Sequence, residues 1–145
     1  MKALFAAALT GALLAGQAGL AGVAQGVQPR IEQRVVSFAK GASGATIDGL
    51  VKGDQTIDYL VSASAGQTLS VGFAPRNPSA YFNLLAPGND EALHVGSVAG
   101  NRYSGVLTTS GRFVVRVYLM RNASRRNESS RFRLDVGVTG DATKP

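Results

Sequence analysis

From Val35 onward the apolar residues recur at every second position, and Gly, Pro, Asn or Asp breaks the run at short intervals. That period belongs to strands with one buried face. Thr56–Ser62 sets Ile57, Tyr59 and Val61 against Asp58, Leu60 and Ser62. Leu69, Val71 and Phe73 alternate after the turn Ala65-Gly66-Gln67, and Tyr81–Leu85 runs up to Pro87-Gly88-Asn89-Asp90. Two strands are clearest. One follows Ser110-Gly111 and sets Phe113, Val115, Val117 and Leu119 against Val114, Arg116, Tyr118 and Met120. The other sets Phe132, Leu134, Val136 and Val138 against Arg131, Arg133 and Asp135. Val35–Phe38, Ala45–Val51, Ala92–Gly96 and Tyr103–Thr108 complete the candidates, and a polar loop, Arg121–Ser130, separates the last two strands. After the first two dozen residues no stretch carries an i, i+3, i+4, i+7 apolar stripe. Eight or nine short strands over about 105 residues match a single antiparallel β-sandwich, an all-β fold. A domain of this size buries enough surface to stand without staples.

The start of the chain reads differently. Met1-Lys2 precedes an Ala/Leu/Gly-rich run from Ala3 to about Ala15, followed by small residues. This is the n-region, h-region and cleavage zone of a secretory signal. Cleavage is expected after Ala24, with Ala18 the other small-x-small site. The run approaches the roughly 20 residues of a membrane span, but Gln17 interrupts it and no charged stop-transfer flank follows. The expected organisation is therefore a cleaved signal over 1–24, a lead-in over 25–34, a sandwich over 35–138 and a frayed tail over 139–145. The chain has no Cys, so an exported protein of this kind fits a bacterial periplasm or a secreted space, and its membrane contact is confined to export.

The side chains argue against catalysis. One His and no Cys exclude thiolate chemistry and a Cys-based zinc site, and leave little for a His-based triad. His94 reads as a half-exposed strand residue. Asp48, Asp54 and Asp58 read as solvated carboxylates near turns, with no ligand ladder or glycosidase pairing around them. The 18 glycines include no phosphate-cradling loop. The expectation is a protein without enzymatic activity, cofactor or metal. Asn122-Ala-Ser and Asn127-Glu-Ser are formal sequons that carry no weight in a bacterial chain.

Charge is concentrated in one place. Without Lys2 the chain holds 14 basic and 9 acidic residues, yet residues 112–133 alone contain seven Arg against one acid, Glu128. All seven are Arg, the residue suited to bidentate grip on carboxylates and to covering aromatic faces. Arg121, Arg125 and Arg126 fall in the loop between the two best-patterned strands. One helical turn there would point Arg121 and Arg125 the same way. Three readings are open: a solvated basic loop with Arg116 and Arg133 as ordinary outward charges, a protein-binding loop, or a surface for an anionic glycan or lipid head group. Tyr118 beside Arg116 and Met120 adds an aromatic, but no interleaved series of aromatics forms a stacking platform, so a nucleic-acid module is disfavoured.

Several motifs together resemble the periplasmic inhibitors of g-type (goose-type) lysozyme. They are Phe38-x-Lys40-Gly41-x-Ser43, Gly49-x-Val51-Lys52-Gly53, Tyr59, Ala65-Gly66-Gln67 and, most specifically, the run from Arg116 to Asn127 with its Arg-Asn-x-x-Arg-x-Asn core. The likeness spans about Phe38 to Val138. Its turn and closing strands are shared, more weakly, with pre-peptidase C-terminal β-sandwiches. The resemblance implies a β-sandwich that binds g-type lysozyme and blocks its cleft with two loop arginines. Arg121 and Arg125 stand at those positions, with Asn122, Arg126 and Asn127 supporting them. Where the family carries a contacting tyrosine after the Lys-Gly turn, this chain has Asp54, which cannot stack.

Overall fold

The computed structural model describes residues 30–88 and 91–142. The expected signal at 1–24 and residues 25–29 of the lead-in lie outside the described residues, as do residues 89–90 and 143–145. Nine strands and two short helical turns follow one another: β1 Arg30–Val35, β2 Gly44–Lys52, β3 Gln55–Ala63, β4 Thr68–Pro75, β5 Ala80–Leu85, β6 Ala92–Val95, α1 Gly96–Ala99, β7 Arg102–Val106, β8 Gly111–Leu119, α2 Arg121–Arg125 and β9 Ser129–Thr139. They form a five-stranded sheet, β1-β3-β8-β5-β6, packed on a four-stranded sheet, β2-β9-β4-β7. β5 and β6 are consecutive within one sheet. Every other connection carries the chain from one sheet to the other.

Between the layers lies the core that the alternation requires. Ile57, Tyr59, Val61, Phe82, Leu84, Phe113, Val115 and Val117 face Leu69, Val71, Phe73, Phe132, Leu134 and Val136, all nearly or fully buried. Phe73 links the sheets, with its ring 5.8 Å from Phe82 and 5.4 Å from Phe132. Burying each such ring stabilises the fold by about 1.5–3 kcal/mol. Gly49 pairs with Phe132 across β2 and β9, and a Cβ at Gly49 would collide with that ring. Glycine is therefore what lets the ring lie over the strand.

Several expectations need correction. Period two is legible only from Val35, but the first strand is Arg30–Val35 and ends where the reading begins. Its partner β3 holds it through main-chain bonds, and these leave no mark in an apolar pattern. It also runs parallel to β3, whereas the remaining pairings are antiparallel. Gly96 belongs to α1 instead of extending β6. Asp58 is not solvated: its side chain is 4% exposed and accepts two hydrogen bonds from Arg116, at 2.8 and 2.9 Å. Arg116 is thus no ordinary outward charge. His94 is buried, stacked on Phe82 with centroids 4.9 Å apart, and its Nε2 lies 2.8 Å from Gly100 O. Among the described residues no helix is long and apolar enough to cross a membrane.

Candidate functional site

The arginine loop spans the gap between the two layers, leaving β8 in one sheet and entering β9 in the other. Its backbone is almost fully bonded. Ser124 N donates to Met120 O (2.8 Å), Arg126 N to Asn122 O (3.2 Å), Asn127 N to Ser124 O (2.9 Å) and Glu128 N to Ala123 O (3.0 Å). Ala123 is wholly buried, so the turn is plugged into the end of the core. Two neighbouring segments brace it. Met120 N donates to Ser79 O, and Gly53 N donates to Glu128 O (2.8 Å). Asn77 Nδ2 donates to Glu128 Oε1 (3.0 Å) and to Ser129 O (3.2 Å). Nothing in the alternation singles out Asn77 or Ala123. The only hint is Asn77-Pro78, a pair typical of turns.

α2 is the single helical turn that the spacing allows, so Arg121 and Arg125 project from one side of it. Both are exposed, and neither makes a hydrogen bond or ion pair among the described residues. Arg126 differs: its guanidinium holds Glu128 Oε2 at 2.6–2.7 Å. Asn122 Oδ1 accepts from Ala123 N (2.8 Å) within the turn. Asn127 takes φ +56°, a left-handed conformation that Asn tolerates better than most residues. It sits against Gly53, itself at φ +62°, where an added Cβ would come within 2.6 Å of Asn127 Oδ1. The Lys-Gly turn and the arginine loop are therefore one packed unit. Asp54, exposed on that turn, lines a groove of about 470 Å³ together with Gln55, Arg116, Tyr118, Met120 and Arg121. No ion pair joins Asp54 to Arg121.

Of the remaining arginines, only Arg116 reaches the groove beside the loop. Arg112 and Arg116 lie on the outer side of the five-stranded sheet, paired in register with Ser62 and Asp58. Arg131 and Arg133 lie on the outer side of the four-stranded sheet. Arg133 meets Asp48 at 3.2 Å with both side chains well exposed, a contact worth less than about 1 kcal/mol. Among the described residues no cluster of three or more His, Asp or Glu is placed to hold a metal ion.

The hydrogen bond from Asn77, with the one from Arg126, holds the Glu128 carboxyl below the ordinary glutamate value of 4.5. A carboxyl lowered in the folded state stabilises it above the unfolded value, and that contribution is lost as pH falls through the folded one. The loop anchor should therefore weaken below about pH 4.5. The thermal midpoint of the native chain should then fall more steeply with acid than that of Glu128→Gln. Parallel midpoint curves for the two would show that the carboxylate does not anchor the loop.

No protein-family model matches the chain. A curated relative, the inhibitor of g-type lysozyme of Escherichia coli, is 29% identical over 111 residues, covering 71% of this chain and 78% of that protein. Among solved structures, a periplasmic inhibitor of g-type lysozyme from Aeromonas hydrophila aligns with a TM-score of 0.70 and 35% identity over 76% of this chain and 98% of its own. The chain belongs to this inhibitor family. A mutant of the Escherichia coli family member aligns with a TM-score of 0.58 at 28% identity, over 76% of this chain and 99% of that one. The pre-peptidase C-terminal domain of a Bacillus anthracis collagenase, at 13% identity and a TM-score of 0.50, shares the fold alone. Its relatives are periplasmic inhibitors, and the chain is a periplasmic protein without enzymatic activity.

Proposed function

We propose that this protein inhibits g-type lysozyme by inserting loop 121–130 into the enzyme's active-site cleft, with Arg121 and Arg125 as the contacting groups. One observation supports this above the rest. Of the three loop arginines, one is spent on Glu128 and two project, unpaired, from one side of a backbone that is already fixed. Glycosidase clefts carry catalytic carboxylates in sheltered sites, and a preorganised guanidinium can meet them bidentately. A fixed loop loses little freedom on binding, so more of each contact appears as affinity. The membership of the family supplies the partner class, and cleavage at Ala24 would deliver the protein to the periplasm.

The test is a titration of muramidase activity. Protein purified from the periplasm would be added to goose-type, chicken-type and invertebrate-type lysozymes at near-physiological salt. Stoichiometric inhibition confined to the goose-type enzyme is expected. Inhibition of none of the three would sink the reading and turn attention to anionic envelope components.

A further inference from the structure

We propose that β1 is a dimer interface, pairing antiparallel with β1 of a second copy about a two-fold axis through Gln33. β1 is an edge strand whose six residues are all exposed, including Ile31 at 54% and Val35 at 64%. Edge strands are ordinarily blunted by shortness, bulges, proline or charged side chains, lysine above all. The opposite edge of the same sheet follows that rule, since β6 has four residues and a register shift at its pairing with β5. β1 carries no proline, glycine, lysine or bulge. It does carry charges, Arg30, Glu32 and Arg34, but Glu32 and Arg34 are of opposite sign and complement each other across a two-fold axis.

The main-chain parity suits such a pairing. Val36 N donates to Leu60 O at 2.9 Å, so the even-numbered residues of this segment turn their main-chain groups toward β3. Ile31, Gln33 and Val35 then turn theirs to the open edge. With the axis at Gln33, these are the residues placed opposite one another: Gln33 faces Gln33, and Ile31 faces Val35. Each exchanges both main-chain bonds with its counterpart, the closely bonded pair of an antiparallel ladder.

The side chains agree with the same register. Glu32 of one copy falls opposite Arg34 of the other, twice over, so the central charges are complementary; cross-strand pairs of opposite charge are favourable and like charges are not. Within one copy Arg34 already holds Glu32 at 2.8 Å, and the second copy would extend this into an alternating ladder. On the outer face Val35, Leu60, Val114 and Leu85 form a row across β1, β3, β8 and β5. Ile31 of the second copy would continue that row. The interface is isologous, as a two-fold dimer requires. The first residues of β1 border the same groove as Asn127, so an antiparallel dimer sets one arginine loop toward each end of the paired strands. The inference stands whatever enzyme the loop meets.

Sedimentation equilibrium over a concentration series tests it, using protein purified from the periplasm. A reversible monomer–dimer equilibrium is expected for the native chain, with loss of the dimer in Ile31→Lys and in Glu32→Arg. The double variant Glu32→Arg/Arg34→Glu swaps the charges and should regain it. Circular dichroism would establish that each variant is folded. A native chain that remains monomeric up to its solubility limit would overturn the proposal. So would a dimer indifferent to both single variants, and a double variant that stays monomeric would refute this register.

Discussion

Arg121→Ala and Arg125→Ala should each weaken inhibition of g-type lysozyme by about 30-fold to a few thousandfold. This corresponds to the roughly 2–5 kcal/mol lost when one partner of a desolvated charge pair is removed. Both side chains project from α2 without internal partners, so the folded protein loses nothing when they are truncated. Thermal midpoints should hold within the scatter usual for surface substitutions. Arg112→Ala is the control, because Arg112 lies on the sheet away from the loop. A plugged cleft predicts near-native inhibition for that variant and only modest sensitivity to salt. A diffuse basic surface predicts equal, small losses at Arg112, Arg121 and Arg125, with binding that fades as ionic strength rises. Inhibition constants for the four proteins at two salt concentrations separate these outcomes. Arg121→Lys should recover only part of the affinity, since an ammonium cannot reproduce the guanidinium fork.

The largest effect on stability is expected at Phe82. It is fully buried, packs edge-on against Phe73 at 5.8 Å and stacks on His94 at 4.9 Å. Phe82→Ala removes most of a ring from the middle of the sandwich and should cost about 3–5 kcal/mol. For a domain of this size that lowers the thermal midpoint by roughly 10–20 °C. Val98→Ala, at a residue 85% exposed on α1, should change it by no more than about 0.5 kcal/mol. Calorimetry on the two variants checks the contrast. A comparable small shift in both would mean that the centre of the core does not lie at Phe82.

The elements that could be read from the sequence were those whose own side chains record their surroundings. β3, β4, β8 and β9 alternate because one face of each is buried, and the inward residues Ile57, Phe73, Val117 and Leu134 are those the pattern marks. β1 has no buried face, so nothing in Arg30–Val35 distinguishes a strand from a lead-in. Asp58 and His94 are buried where the sequence suggests exposure, for a related reason. A polar residue in a strand gives no sign of whether its neighbour in space is solvent or Arg116, and the partner lies 58 residues away. The candidate loop was legible in composition, as a dense run of Arg, and in the local motif from Arg116 to Asn127. What could not be read was its division of labour. Only the contacts of Glu128 with Asn77 and Arg126 separate the tethered arginine from the two that project.

The way the loop is anchored has a consequence for how such a protein can change over generations. Its shape rests on Ala123, on main-chain bonds to Ser79, Gly53 and Glu128, and on the Asn77–Glu128 contact. The side chains at 121 and 125 contribute nothing to that shape. Mutation can therefore rewrite those two positions without jeopardising the fold that displays them. Selection for new opponents is decoupled from selection for folding, and the same property would suit the scaffold to display libraries.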